Sequence, residues 1–216
     1  MVPDLPGYGR SEEWGHVLGI SSLAWALLDT LDELGLQRVT LVGNSMGALV
    51  CLEVAHSAPE RVAGVVLTSP AGGIHNQPLT RALAQLARDV RRESREMIRV
   101  VLPDYLRFGP VNALHLFSEL TRFPSLERIL RTPVPTLVVL GSRDPLMPPL
   151  RRVKETGRLA PPHVSIAMID GAAHAMNFSH PGELSHVIGS WLAGGAVTDD
   201  PDQPGIAHVL QLDDPD

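Results

Sequence analysis

Short apolar, β-branched runs alternate along the chain with longer stretches in which apolar residues recur every three or four positions. That alternation predicts a parallel sheet with crossover helices, the α/β class. Four runs read as strands, residues 38–42, 64–68, 136–140 and 165–169. Each is nearly continuous in apolar residues, as expected where helices cover both faces of a sheet. A helix precedes the first run: Ile20, Leu23, Leu27, Leu31 and Leu34 fall on one stripe, and Gly35 stands where a C-terminal cap belongs.

Residues 74–131 break the alternation. They read as helices inserted between two strands, with Leu79, Leu83, Leu86 and Val90 on one side and Arg81, Arg88, Arg91, Arg92 and Arg95 interspersed. This is the pattern of a helical cap, and it is expected to line a substrate pocket with its Leu, Met and Phe side chains. Pro103, Pro110 and Pro124 are expected to cut it into short pieces, because a proline inside a helix removes a hydrogen bond and clashes with the preceding turn. With Asp89, Glu93 and Glu96 nearby, the arginines read as a solvated helix face.

Composition narrows the class without changing that picture. The chain has 216 residues, 44% hydrophobic and 19% charged, enough for one globular core spanning residues 1–197. The formal charge of −6 sits in the last segment, 198–216, which holds six aspartates and no Lys or Arg, and the rest balances 18 acids against 18 bases. That acidic tail reads as a disordered extension, and nucleic-acid binding has no electrostatic support. One cysteine, Cys51, leaves no internal disulfide. No apolar run is long enough to span a bilayer and no secretory leader is visible, so a cytoplasmic protein without a membrane role is expected.

The chemistry begins at Gly43-Asn44-Ser45-Met46-Gly47, which follows the run 38–42 and precedes a helix-compatible stretch, 48–56. A G-x-S-x-G sequence between strand and helix makes a turn too tight for side chains at its glycines. It lifts the serine hydroxyl clear of the backbone and leaves the Met46 amide aimed at a developing oxyanion. A serine hydroxyl needs a base, and the base needs an orienting carboxylate. Asp144 stands just past the run 136–140, and His174 just past 165–169, in the order Ser, Asp, His. The loop after 64–68 carries no carboxylate, so Asp144 has no rival.

With these motifs the chain resembles the α/β-hydrolases, and Asp4-Leu5-Pro6-Gly7-Tyr8-Gly9-Arg10-Ser11 is similar to that family's turn after its fourth strand. The resemblance covers about residues 2–192. It implies Ser45 as nucleophile, His174 as general base and acid, Asp144 as its orienter and the Met46 amide as one oxyanion donor. Asp4, Gly7 and Gly9 match structural turn residues. The family places three strands before this turn, and a His-Gly motif after the third supplies a second oxyanion amide; neither is in the sequence. A sheet lacking its first strands is therefore expected, with an open edge at 38–42 and no neighbour for 2–5. A longer gene product, with about 50 to 80 more residues, is expected from the usual size of α/β domains.

The other histidines and the cysteine read as structural. His16, His56, His75, His115, His163, His180, His186 and His208 form no spaced ligand set, so no metal is expected. His180 reads as the start of a closing helix, Cys51 as a buried inert thiol and Trp191 as packing. The expected function is hydrolysis of a small-molecule ester through an acyl-enzyme, with no cofactor. Two alternatives stay open: a catalytically incompetent fragment or non-enzymatic remnant of the fold, and a carbon–carbon bond hydrolase or cofactor-free perhydrolase using the same three residues.

Overall fold

Four parallel strands and one short antiparallel strand form a single sheet in the computed structural model, which describes residues 1–11, 18–72, 77–195, 197 and 207–209. They are β1 (Val39–Asn44), β2 (Val62–Thr68), β3 (Thr136–Gly141), β4 (Val164–Ile169) and β5 (Ala207–Val209), lying side by side in chain order. All four strands read from the apolar runs form, with ends shifted by one or two residues. Helix α1 (Ile20–Glu33) precedes the sheet, α2 (Met46–Ser57) links β1 to β2, and α7 (Leu150–Leu159) links β3 to β4. After β4 come α8 (Met176–Ser179) and α9 (Pro181–Leu192).

The two faces of the sheet are covered unequally. On one, Leu41, Val65, Leu67, Val138, Leu140 and Ile166 form a continuous core with the buried side chains of α1 and α2. Helix α2 is buried from Ala48 to Ala55, which is why its sequence is apolar all round. On the other face Val66, Leu137, Val139, Ala167 and Ile169 pack with Leu184 and Val187 of α9. That cover stops short of β1, the edge strand, where Val42 is 55% exposed beside the solvent-facing Thr40. Among the described residues nothing pairs with the outer edge of β1, and residues 2–5 form no strand. The open edge expected at 38–42 is thus present.

Local signals explain the helix ends. Gly35 adopts φ 67° after α1, with its amide bonded to the Asp32 carbonyl and the Leu36 amide to the Leu31 carbonyl, the Schellman arrangement that a left-handed glycine permits. Leu34, assigned to the apolar stripe, falls beyond the last turn and is exposed. His180 caps the start of α9, as the sequence suggested, and the Trp191 indole lies over Gly64 of β2, where a β-carbon would come within 2.8 Å of the ring.

The cap between β2 and β3 comprises α3 (Leu79–Val90), α4 (Arg95–Phe108), α5 (Pro110–Arg122) and α6 (Ser125–Leu130), with residues 73–76 outside the described set. Pro110 opens α5 and Pro124 caps α6, as expected of helix punctuation. Pro103 does not interrupt the chain: α4 runs through it. Both Pro103 and Arg99, whose carbonyl loses its intrahelical donor, are exposed, so water can take the freed acceptor. The cap is tied to the body by Arg128 of α6, which pairs with Glu53 of α2, itself bonded to Ser21 at 3.0 Å. Phe108 of α4 stacks on Tyr8 with ring centroids 5.1 Å apart.

Helix α3 does not bury Leu83 and Val90, which are 39% and 46% exposed; it turns Ala82, Gln85 and Asp89 inward. Within the segment 198–216, residues 207–209 form β5, paired antiparallel with β4. The rest of that acidic tail lies outside the described residues, as do His16 and His75.

Candidate active site

Ser45 sits on the turn between β1 and α2 with φ 52° and ψ −115°, a left-handed backbone that a serine adopts only under compulsion. The compulsion is visible on both sides. The Ser45 amide donates to the Thr68 carbonyl at 3.0 Å, and the Thr68 hydroxyl donates to the Gly43 carbonyl at 3.2 Å, so the end of β2 holds the elbow. At Gly43 a β-carbon would lie 2.3 Å from the Gly47 carbonyl oxygen and 2.6 Å from the Ala48 nitrogen. Gly47 is different: nothing lies within 4 Å of a β-carbon there. The steric reason given for both glycines therefore holds at Gly43 alone. Met46 opens α2, so its amide is one of those a helix leaves without an intrahelical acceptor.

The loops carrying the candidate acid and base, Asp144 and His174, are built against each other. Gly141, at the end of β3, has the Ala172 carbonyl 2.4 Å from its virtual β-carbon, and the Arg143 amide donates to that carbonyl at 2.9 Å. Ser142 donates to Asp170 at 2.7 Å and accepts from the Gly171 amide at 2.9 Å. This knitting brings Asp144 to His174. Asp144 Oδ1 accepts the Leu146 amide at 2.8 Å, and Oδ2 faces His174 Nδ1 at 2.8 Å. On the far side of the ring, His174 Nε2 lies 2.8 Å from Ser45 Oγ. All three side chains singled out in the sequence thus meet in one line, although 129 positions separate Ser45 from His174.

The electrostatics follow from burial and neighbours. Burial alone pulls the His174 imidazole down. The hydrogen bond and charge of Asp144 and the charges of Asp89 and Glu93 oppose it, and the balance leaves the ring above the usual histidine value. Burial pushes Asp89 up to about 6, with His174 opposing and the charges of Asp144 and Glu93 adding to the rise. Cys51, on the buried side of α2, is pushed up to about 12 by burial, consistent with an inert thiol. His180 contacts Ser179 at 2.9 Å and does not join the line. No group of three or more metal-ligating side chains gathers among the described residues.

Asp89 and Glu93, read from the sequence as neighbours of a solvated helix face, lie inside instead. Both are buried, at 4% and 8% exposure, and both point at the base loop rather than at water. Asp89 accepts from the His174 amide at 3.4 Å, and Glu93 from the Ala175 amide at 2.8 Å. Between them, the Arg92 guanidinium donates to the Arg143 carbonyl, next to Asp144. A signal was available: Ala82, Gln85, Asp89 and Glu93 recur at helical spacing, a stripe headed by the small buried Ala82. The cap also contributes Ser125, Leu126 and Ile129 to a cavity beside Asp144. Its volume of about 30 Å³ suits a water rather than an acyl chain, and neither Ser45 nor His174 lines it.

Comparison with known proteins agrees with the fold. A model described as the alpha/beta hydrolase family matches residues 1–187. A pimeloyl-(acyl-carrier protein) methyl ester esterase of Yersinia enterocolitica is 29% identical over 211 residues, covering 86% of this chain and 79% of that protein. A thermophilic esterase from Thermogutta terrifontis superposes with a TM-score of 0.67 at 23% identity, over 89% of this chain and 79% of its own. A meta-cleavage product hydrolase from Pseudomonas fluorescens IP01 gives a TM-score of 0.66 at 19% identity, over 89% and 79% of the two chains. At these identities the structural likeness speaks for the fold.

Proposed function

We propose, from the premise that this chain belongs to the alpha/beta hydrolase family, that it hydrolyses a carboxylic ester through an acyl-enzyme on Ser45. The observation that carries the reading is the unbroken line from Ser45 Oγ through the His174 ring to Asp144, with both contacts at 2.8 Å. His174 Nε2 takes the hydroxyl proton as Ser45 Oγ attacks the ester carbonyl. Asp144 holds the ring in the tautomer with its proton on Nδ1 and stabilises the imidazolium that forms. The carbonyl oxygen, now negative, is placed at the Met46 amide at the start of α2. Collapse expels the alcohol, which receives the proton from Nε2, and a water activated by the same nitrogen releases the acid. The esterases among its relatives support an acyl ester as the substrate class.

A fluorophosphonate probe tests the assignment directly. One probe per chain is expected on Ser45, located by peptide mass, with short p-nitrophenyl esters protecting against it. A folded protein that takes up no label would refute the serine mechanism. The rate should also report His174. The base must be neutral to accept a proton, and its pKa lies above the ordinary 6.5 or so. The acid limb of kcat/KM is therefore expected above pH 6.5, falling about tenfold per pH unit below it. A profile flat down to pH 5 would remove His174 from the role of base.

A further inference from the structure

We propose that the C-terminal end of α3 and the turn after it form a latch through which the cap positions the catalytic histidine. Asp89 and Glu93 accept from the consecutive amides of His174 and Ala175, while Arg92 holds the carbonyl next to the acid. The inference rests on the serine-hydrolase reading above and adds to it residues from outside the sheet.

The geometry is specific. Two side chains one helical turn apart reach two adjacent backbone amides, at 3.4 and 2.8 Å, and those amides flank the bond from which the imidazole is aimed. The base loop is otherwise held by the acid loop: the carbonyl of Ala172 takes the Arg143 amide, and Ser142 bonds Asp170 and Gly171. Those bonds end at Gly171 and Ala172, upstream of the imidazole. Asp89 and Glu93 grip the backbone at His174 and just after it. The stretch carrying the base is thus clamped from the sheet on one side and from the cap on the other, and Arg92 extends the cap's hold to the acid loop. The charges that act on Asp89 are His174 on the base loop, Asp144 on the acid loop and Glu93 on the cap itself. A buried carboxylate so placed does two separable things: it fixes a backbone amide, and its charge favours the imidazolium formed during acylation.

Those two actions predict different responses. Asp89→Asn keeps an acceptor oxygen and removes the charge. The His174 pKa, read by imidazole NMR, and the acid limb of Ser45 labelling by a fluorophosphonate should both move to lower pH. Its melting temperature at pH 8 should match or exceed the parent's, because ionised Asp89 costs the folded state above pH 6. Glu93→Gln should lower the imidazole pKa in the same sense. Asp89→Ala combined with Glu93→Ala removes both grips, and the labelling rate on its high-pH plateau should fall about ten- to hundredfold, since small misplacements of a reacting group have costs of that order. Asp89→Asn combined with Glu93→Gln keeps both acceptors and should retain most of that plateau. Unchanged imidazole pKa and labelling rate in the double alanine variant would overturn the latch. Should that variant fail to fold, an unchanged high-pH labelling plateau in each single variant, Asp89→Ala and Glu93→Ala, would overturn it instead. Loss of labelling in Ser45→Ala alongside such null results would show that the latch alone is wrong, whereas persistent labelling there would refute the serine reading itself.

Discussion

Replacing Ser45 with alanine is expected to lower ester turnover by about a million-fold while leaving the fold intact. The size follows from how such a unit works: without the nucleophile, the base and its orienter have nothing to activate, so removing the nucleophile or the base costs nearly as much as removing all three. The stability change should be small. Among the described residues Ser45 Oγ makes one hydrogen bond, to His174 Nε2, and its loss is worth about 1 kcal/mol. Asp144→Asn should cost about ten-thousandfold, because an amide at that site favours the wrong tautomer of the ring. His174→Ala should match Ser45→Ala in rate but not in stability. It strips the partner from Asp144 Oδ2, whose side chain is 2% exposed, and an unpaired buried acceptor costs about 1–3 kcal/mol or more. Steady-state rates with a p-nitrophenyl ester, together with thermal melts, decide the matter. Retention of most turnover by Ser45→Ala would place the chemistry elsewhere.

The second large effect is expected at Gly43, with Gly47 as its control. Gly43→Ala places a methyl group 2.3 Å from the Gly47 carbonyl oxygen and 2.4 Å from its carbon, both backbone atoms of the first turn of α2. No rotamer relieves such a contact, so β1 or α2 must shift. Overpacking of that kind costs about 3 kcal/mol or more, and the displaced elbow should lower turnover at least about a hundredfold. Gly47→Ala meets nothing within 4 Å and replaces glycine inside a helix, so it is expected to be neutral or to stabilise by about 1 kcal/mol. The two substitutions are alike in chemistry and stand at the two ends of one motif. Urea denaturation of both variants separates steric necessity from mere motif membership, and equal midpoints would show that the elbow tolerates a side chain at Gly43.

The alternation of strands and helices, the elbow and the order of Ser45, Asp144 and His174 are all legible in the one-dimensional pattern of residues. Those features are local. A buried parallel strand shows as a continuous apolar run, and the elbow shows because the residues that make the turn are adjacent in the chain. Asp144 and His174 were legible as candidates because each stands just past the carboxyl end of a strand, where an α/β sheet collects its functional side chains.

Which face of the cap turns inward is set by packing between elements distant in the chain. Periodicity marks a stripe on α3 but not the neighbour that stripe will meet. The neighbour is partly the polar backbone of the base loop, which rewards Asp89 and Glu93 over Leu83 and Val90. The same holds for Pro103, tolerated because its stretch of α4 is exposed, and for Gly47, whose place in the motif said nothing about the open space beside it. It also holds for β1, where Val42 stays exposed while α9 packs over β3 and β4. In each case the deciding quantity is what lies across a contact between residues far apart in the chain. A one-dimensional pattern carries the preference of each residue for burial, but not the identity of the partner that buries it.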